Sequence, residues 1–263
     1  MKFPDFFILA PGIVNPTLMT KRIVILGDFN PAYSTHLALN ESTKQVKNVL
    51  SEEIQFDWIG TDTFHYELAF AEVYGGLWLA PGSPYNDMNN VINAIRFTRE
   101  NNIPTFGNCG GFQHMIIEFA RNVCLITGAD HEETNPDADE LLISKLACSL
   151  VQQQEQLTIT DENSLLFRII GKHSFIGKYY CSYGINSTYL DVLRAHGLKT
   201  PAISDDNHIR AIEIENHPFF LGTLFQPALT STQEEPDPLI LDFVKRAISW
   251  GRPRIYTVSG DSE

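Results

Sequence analysis

The sequence is poor in positive charge. Its 263 residues include 19 Lys and Arg against 32 Asp and Glu, which gives a formal net charge of -13. A surface with this excess of acidic groups repels phosphate backbones and anionic lipid headgroups. We therefore expect neither nucleic acid nor a membrane as a partner.

Cysteines and long apolar segments are also scarce. The four cysteines show no paired metal spacing and are too few for a disulfide scaffold in a chain of this length. No two histidines have the spacing of zinc ligands, and the apolar run at 6–10 is too short to span a bilayer. We expect a reducing, cytoplasmic setting and a protein without a metal or other cofactor.

The remaining composition is that of an ordinary globular protein. Hydrophobic residues make up 43% of the chain and aromatic residues 11%, and a chain of this length fits one large α/β domain. We expect an N-terminal extension at 1–20, a single domain at 21–250 and a C-terminal tail at 251–263. Whether residues 1–18 are an early start or a docking arm is left open by the sequence.

Short apolar runs alternate with segments of helical spacing. Strands are predicted at 22–27, 54–60, 76–80, 103–106 and 219–225, and helices at 37–50, 88–101, 112–122 and 239–250. A polar, strand-rich region covers about 142–188. This alternation predicts a three-layer α/β fold with an open, mainly parallel sheet. Ligands bind such sheets at the carboxyl ends of the strands, where Pro81-Gly82 and Cys109 fall.

The segment 107–113, Gly-Asn-Cys-Gly-Gly-Phe-Gln, has the pattern of a nucleophile elbow. Its glycines permit a sharp strand-to-helix turn with a strained residue at its apex. Cys109 would lie at a helix N-terminus, where the dipole and free amides lower the pKa of a thiol. The Gly110 amide and a second donor from the Gly82-Ser83 loop could stabilise an oxyanion.

The alternative interpretation is that Cys109 is a small buried residue in a tight turn. We adopt that structural interpretation for the other three cysteines, which have no comparable setting: Cys124, Cys148 and Cys181.

Four further segments occur in a specific order along the chain: Gly27-Asp28-Phe29, the run 96–104, the run 117–123 and the segment 217–220. With the elbow, they make the chain similar to the class I glutamine amidotransferases, and most of all to the glutaminase domain of CTP synthase. The resemblance covers nearly everything after residue 20. It implies a flavodoxin-like fold and a Cys-His-Glu triad that hydrolyses glutamine through a thioester. The released ammonia would pass to a synthase domain in pyrimidine nucleotide biosynthesis.

The triad that the resemblance implies is incomplete. Gln226 and Ala228 stand at the positions of the family's catalytic histidine and its orienting glutamate. A glutamine side chain cannot accept and return a proton at neutral pH, so the base that activates the thiol would be lost.

The substrate positions that the resemblance implies are partly kept. Glu133 matches the glutamate that meets the amino group of the substrate, and Gln113 matches the elbow glutamine. Ser182, followed by Tyr183, replaces the arginine that grips the substrate carboxylate, which removes a bidentate contact. The oxyanion loop at 82–85 is altered and one residue shorter.

These departures leave three hypotheses. The favoured one is a glutaminase-deficient pseudoenzyme that binds a small-molecule amide, such as glutamine or an analogue, or a protein partner. The second is an active Cys-dependent amidohydrolase or amidotransferase with a rebuilt site that supplies ammonia for nucleotide synthesis. The third is a regulatory subunit that docks on a separate synthase subunit, because we expect this chain to lack the synthase domain.

None of the eight histidines is expected to replace the base. His36 could approach the carboxyl-end crevice, His114 is predicted to be a packing or surface residue, and His217 is predicted to shape a turn. The others are predicted to be solvated in loops or at exposed ends: His65, His131, His173, His196 and His208.

Overall fold

The computed structural model describes residues 21–250, so the predicted extension at 1–20 and the predicted tail at 251–263 lie outside the described residues. The first half alternates strands and helices: β1 Lys21–Leu26, α1 Ser34–Leu50, β2 Ile54–Ile59, α2 Tyr66–Glu72, β3 Tyr74–Leu79, α3 Met88–Glu100, β4 Thr105–Asn108 and α4 Gly110–Asn122.

Shorter elements make up the second half: β5 Ala129–His131, β6 Glu140–Lys145, β7 Gln154–Ile159, α5 Leu165–Ile170, β8 Ser174–Lys178, β9 Tyr183–Ile185, α6 Leu190–Ala195, β10 Leu198–Ser204, β11 Ile209–Ile214, β12 Phe220–Thr223 and α7 Pro238–Ser249. Short 3-10 helices lie at Ser187–Tyr189 and Pro227–Leu229.

The main sheet has the strand order β2-β1-β3-β4-β12-β11-β10-β7-β8. The pairings from β2 to β12 are parallel, and those from β12 to β8 are antiparallel. A second sheet has the order β5-β6-β9. The predicted α/β fold with its parallel strands is confirmed. The sheet also has an antiparallel half, which the sequence did not predict. Strands β7 and β8 have solvated faces, which antiparallel strands tolerate.

Helices cover both faces of the parallel half. Trp78 and Phe106 face α7, with ring centroids 5.8 and 5.6 Å from that of Phe243. On the other face Gly107 faces α4 so closely that a Cβ there would lie 2.5 Å from Met115 Sδ. Because helices bury both faces of this half of the sheet, β1 and β3 are continuous apolar runs.

A buried ion pair joins α3 to α4. The Arg99 guanidinium donates through Nε to both carboxylate oxygens of Glu118, at 3.1 and 2.9 Å, and through Nη2 at 2.8 Å. Glu118 is fully buried, and this burial raises its pKa, although Arg99 opposes the rise. The pair fixes the helix that begins at Gly110 against its neighbour.

No helix within residues 21–250 combines the length and the apolar character needed to cross a membrane.

Candidate active site

The elbow has the predicted strand-to-helix form. Cys109 lies between β4 and α4 with φ 52° and ψ -106°, a conformation that costs a non-glycine residue free energy. A Cβ at Gly110 would lie 2.0 Å from the Gly82 carbonyl oxygen, and one at Gly111 would lie 2.7 Å from Leu79 Cβ. The close approach of the Gly82 loop therefore depends on glycine at position 110.

A buried chain of hydrogen bonds supports the elbow from below. Trp78 Nε1 donates to Asn108 Oδ1 at 2.8 Å, and Asn108 Nδ2 donates to Thr223 Oγ1 at 2.8 Å. The Thr223 hydroxyl then donates to the Phe225 carbonyl oxygen at 2.8 Å. These contacts connect β3, β4 and β12, and they hold in place the residues that directly precede Cys109 and Gln226.

A cleft of about 680 Å³ opens above the elbow. Gln226, at the predicted position of the base, lines it, as do all but one of the predicted nucleophile and substrate residues: Gly82, Ser83, Cys109, Gln113, Glu133, Ser182 and Tyr183. The remaining one, Gly110, lies directly behind the cleft against Gly82. Ala228 is half-buried in the short helix after Gln226 and does not line the cleft.

The Cys109 thiol has a second cysteine as its neighbour. Its Sγ lies 3.2 Å from Cys181 Sγ and 3.7 Å from the Tyr180 carbonyl oxygen. Neither of these two contacts is made by a histidine. Cys181 is buried, as our structural interpretation had it, but that interpretation missed that the residue also lines the cleft beside Cys109. Its position directly before Ser182, in a stretch matched to substrate-binding residues, was the available signal.

Gln113 connects Cys181 to a buried histidine. Its Nε2 donates to the Tyr183 carbonyl oxygen at 2.9 Å and to Cys181 Sγ at 3.3 Å. Its Oε1 lies 3.1 Å from His131 Nε2, while His131 Nδ1 accepts from the Glu133 amide at 3.1 Å. The neutral ring therefore carries its proton on Nε2. The prediction that His131 is solvated was wrong, since its side chain is buried.

The pair of thiols shares its protons unequally. The hydrogen bond that Cys109 donates to Cys181 raises the pKa of Cys109 well above its ordinary value, and burial adds to the rise. The same hydrogen bond lowers the pKa of Cys181. The Gly82 and Gly110 amides favour a Cys109 thiolate but do not outweigh these effects. The expectation of a lowered Cys109 pKa was therefore wrong, and Cys181 is the sulfur that ionises first.

Other polar groups of the cleft are partly engaged. Ser83 Oγ donates to Glu133 Oε2 at 2.5 Å, and the Ser182 hydroxyl lies 3.1 Å from Ser149 Oγ. Lys145, which sequence reasoning missed, lines the cleft with an exposed side chain and has no ion-pair partner between residues 21 and 250. Among the described residues that line this cleft, Lys145 is the cation available to a carboxylate.

Gln226 lies at the predicted position of the base. Its backbone amide donates to the Lys178 carbonyl oxygen at 2.8 Å, and its side chain is only 3% exposed. Its Nε2 has no hydrogen-bond partner among the described residues. A buried donor without a partner costs free energy. Binding of a ligand whose atom accepts a hydrogen bond from this group would therefore be favoured.

Three further histidines have structural contacts. His36 is buried, with Nδ1 accepting from the Asn30 amide at 3.0 Å and Nε2 lying 2.7 Å from the Pro81 carbonyl oxygen. His114 was predicted to be a packing or a surface residue, and it is a buried packing residue. Its Nδ1 lies 2.7 Å from the Gly110 carbonyl oxygen. His217 Nδ1 accepts from the Phe219 amide at 3.2 Å, which is the predicted turn. None of these contacts joins a histidine to the Cys109 sulfur.

We expect the protein to lose stability as the pH falls from 7 to 5. Burial lowers the pKa of His131 to about 3 and that of His114 to about 4. The unfolded chain takes up protons near pH 6.5 while the folded chain does not, so stability is complete above this value and declines below it. Each of these two histidines should lower the free energy of unfolding by about 2 kcal/mol at pH 5.

Urea unfolding at pH 7 and pH 5 measures this decline. His131→Gln should remove about 2 kcal/mol of it, since the variant has no group to protonate. His208→Gln changes an exposed histidine and should leave the decline as it is. Equal pH dependence in the His131 variant and the wild-type protein would contradict the assignment.

Comparison with known proteins adds a family match to this geometry. The family model described as "Glutamine amidotransferase class-I" matches residues 41–246. CTP synthase of Cytophaga hutchinsonii is 31% identical over 80% of this chain and 39% of its own length. CTP synthase of Flavobacterium psychrophilum is 33% identical over 66% of this chain and 34% of its own length.

A solved structure has a similar fold. The glutaminase domain of Trypanosoma brucei CTPS with bound acivicin superposes with a TM-score of 0.80 at 23% identity, covering 89% of this chain and 97% of that chain. In contrast, the present chain spans no more than about two-fifths of the length of the first CTP synthases that it matches.

Proposed function

The chain belongs to the class I glutamine amidotransferases, and we propose that it is a CTP-synthase-type member that has lost glutamine hydrolysis and binds a small amide or amino-acid ligand in its cleft. The setting that we propose is the cytoplasm, in association with a synthase domain of pyrimidine nucleotide biosynthesis.

The surroundings of the Cys109 sulfur carry this proposal. Cys109 contacts the Cys181 sulfur and the Tyr180 carbonyl oxygen. The carbonyl oxygen takes up no proton at neutral pH, and the Cys181 sulfur, whose pKa is lowered while that of Cys109 is raised, is too weak a base to withdraw the Cys109 proton. Gln226, in the position of the base, does not transfer protons either. The raised pKa of Cys109 keeps it in the thiol form, which is the poor nucleophile of the two forms.

The remaining polar groups of the cleft fit a zwitterionic ligand that carries a carbonyl or amide oxygen. The Glu133 carboxylate can accept from an ammonium group, and the unpaired Gln226 Nε2 can donate to the oxygen. Lys145 supplies a positive charge for a carboxylate in a site where Ser182 stands at the position of the expected arginine. Glutamine or a close analogue satisfies all three groups.

The proposal is tested by measuring binding and hydrolysis separately. We expect calorimetry to detect binding of L-glutamine, and we expect ammonia release to be the same in the wild-type protein and in Cys109→Ser. Glu133→Gln should weaken binding about 10-fold, because a charge-assisted hydrogen bond is lost. Asp137→Asn, on the same segment but outside the cleft, should bind like the wild-type protein.

Ammonia release that depends on Cys109 and reaches a turnover on the order of 1 per second, the lower end of ordinary enzyme rates, would overturn the proposal. That result would favour the second candidate, an amidohydrolase in which Cys109 attacks without an adjacent base. Cysteine depends least on such a base among the common nucleophiles.

A further inference from the structure

We propose that Cys109 and Cys181 form a dithiol–disulfide site that is oxidised by low-molecular-mass organic disulfides. This chemistry needs no general base and no amide substrate, so it stands apart from the function proposed above.

The two sulfurs are already close to bonding distance. Their separation is 3.2 Å, and a disulfide bond requires about 2.05 Å, so a shift of roughly 1 Å shared by two side chains would close it. The residues are 72 positions apart in sequence, and both side chains are buried, at 6% and 5% exposure. Their proximity is a product of the fold.

Both sulfurs also line the cleft of about 680 Å³, which gives a small organic reagent access to them. Cys124 and Cys148 do not line it. A reagent that enters the cleft therefore meets these two thiols together.

Two donors favour a thiolate on Cys181, and they outnumber the one acceptor that contacts its sulfur, the Tyr183 carbonyl oxygen at 3.4 Å. Cys109 donates to its sulfur at 3.2 Å, and Gln113 Nε2 donates at 3.3 Å. The amide of Gln113 is held by the Tyr183 carbonyl oxygen and by His131. A thiolate is the form that attacks a disulfide, so Cys181 is the attacking residue.

The reaction is a pair of thiol–disulfide exchanges. The Cys181 thiolate attacks a reagent XSSX, which forms Cys181–S–S–X and releases XS⁻. Cys109 then gives its proton to XS⁻ and its sulfur attacks Cys181 Sγ, which forms the Cys109–Cys181 bond and releases a second XS⁻, protonated by solvent. Two protein thiols are oxidised and one XSSX is reduced to two XSH. Excess XSH reverses both steps.

The experiment equilibrates the full chain with mixtures of reduced and oxidised glutathione, blocks free thiols by acid quenching and alkylation, and maps the peptides by mass spectrometry. Cys124→Ser/Cys148→Ser serves as the background, so that only the two site cysteines remain. We expect one crosslink between the peptides that contain Cys109 and Cys181. We also expect a rise in Tm of roughly 10 °C on oxidation, because the bond closes a long loop.

A second measurement uses phenylarsine oxide, which bridges two neighbouring thiols. One equivalent should protect both cysteines from alkylation in this background, and Cys181→Ser should abolish the protection. If circular dichroism shows that Cys181→Ser is unfolded, Cys181→Ala is used in its place. The crosslink measurement requires neither variant. Two free thiols in fully oxidised glutathione, or glutathione attached to Cys109 without a crosslink, would overturn the proposal. Neither result would bear on glutamine binding.

Discussion

Replacing Gln226 with histidine and Ala228 with glutamate should raise the rate of glutamine hydrolysis on the order of 100-fold, at the low end of what a general base contributes. Gln226 is buried and lines the same cleft as Cys109, at the end of the neighbouring strand β12. A histidine at this position would supply the base, and a glutamate two residues later would orient it. The two new residues should act together, so each single substitution should raise the rate much less than the double substitution does.

Ammonia release at saturating glutamine, followed in a coupled assay, measures the gain. Adding Ser182→Arg should then lower the KM, because an arginine restores a carboxylate contact. Cys109→Ala in the rebuilt protein should abolish the gained activity. A folded double variant with the wild-type rate would show that the identities of residues 226 and 228 do not limit hydrolysis, and it would count against the proposed function.

Arg99→Met should lower the free energy of unfolding by about 3–5 kcal/mol at pH 7, the usual cost of leaving one partner of a buried ion pair alone. Glu118 is fully buried, and Arg99 is its cationic partner. Without Arg99, the pKa of Glu118 should rise further. The loss should therefore shrink as the pH falls from 7 to 5 and Glu118 takes up a proton.

The same helix supplies a matched control. Arg96 forms an exposed pair with Glu100 at 2.9 Å, so Arg96→Met should cost no more than about 0.5 kcal/mol. Arg99→Met/Glu118→Leu should recover much of the lost stability, because the stranded charge is removed. Urea unfolding at both pH values gives these differences. Similar losses for Arg96→Met and Arg99→Met would show that burial of the pair does not matter.

The first half of the fold could be predicted because its signals are local. Continuous apolar runs mark β1 and β3, and helical spacing marks α3 and α4. Glycines around Cys109 marked the elbow for the same reason. The strands β10 and β11, with seven and six residues, mix apolar and polar side chains instead of forming continuous apolar runs. The helices α2, α5 and α6 have only six or seven residues. For these reasons none of the five elements was identified.

The decisive contacts of the site are not local. Cys109 and Cys181 meet because the segment before β9 crosses the cleft, and no spacing rule connects positions 72 apart. The burial of His131 follows from its place at the end of β5, where it contacts Gln113 of α4. Even the pKa of Cys109 was misjudged for this reason, since the helix N-terminus was visible in the sequence and the second sulfur was not.

The hydrogen bond from Trp78 to Asn108 gives the molecule an internal optical reporter. Of the three tryptophans, Trp78 is fully buried and bonded to the residue that directly precedes the elbow, whereas Trp58 and Trp250 are partly exposed. Indole emission follows the local field and hydrogen bonding, so movement of the elbow should alter the emission of Trp78. Time-resolved fluorescence, with Trp58 and Trp250 replaced by phenylalanine, would then follow events in the cleft without any added label.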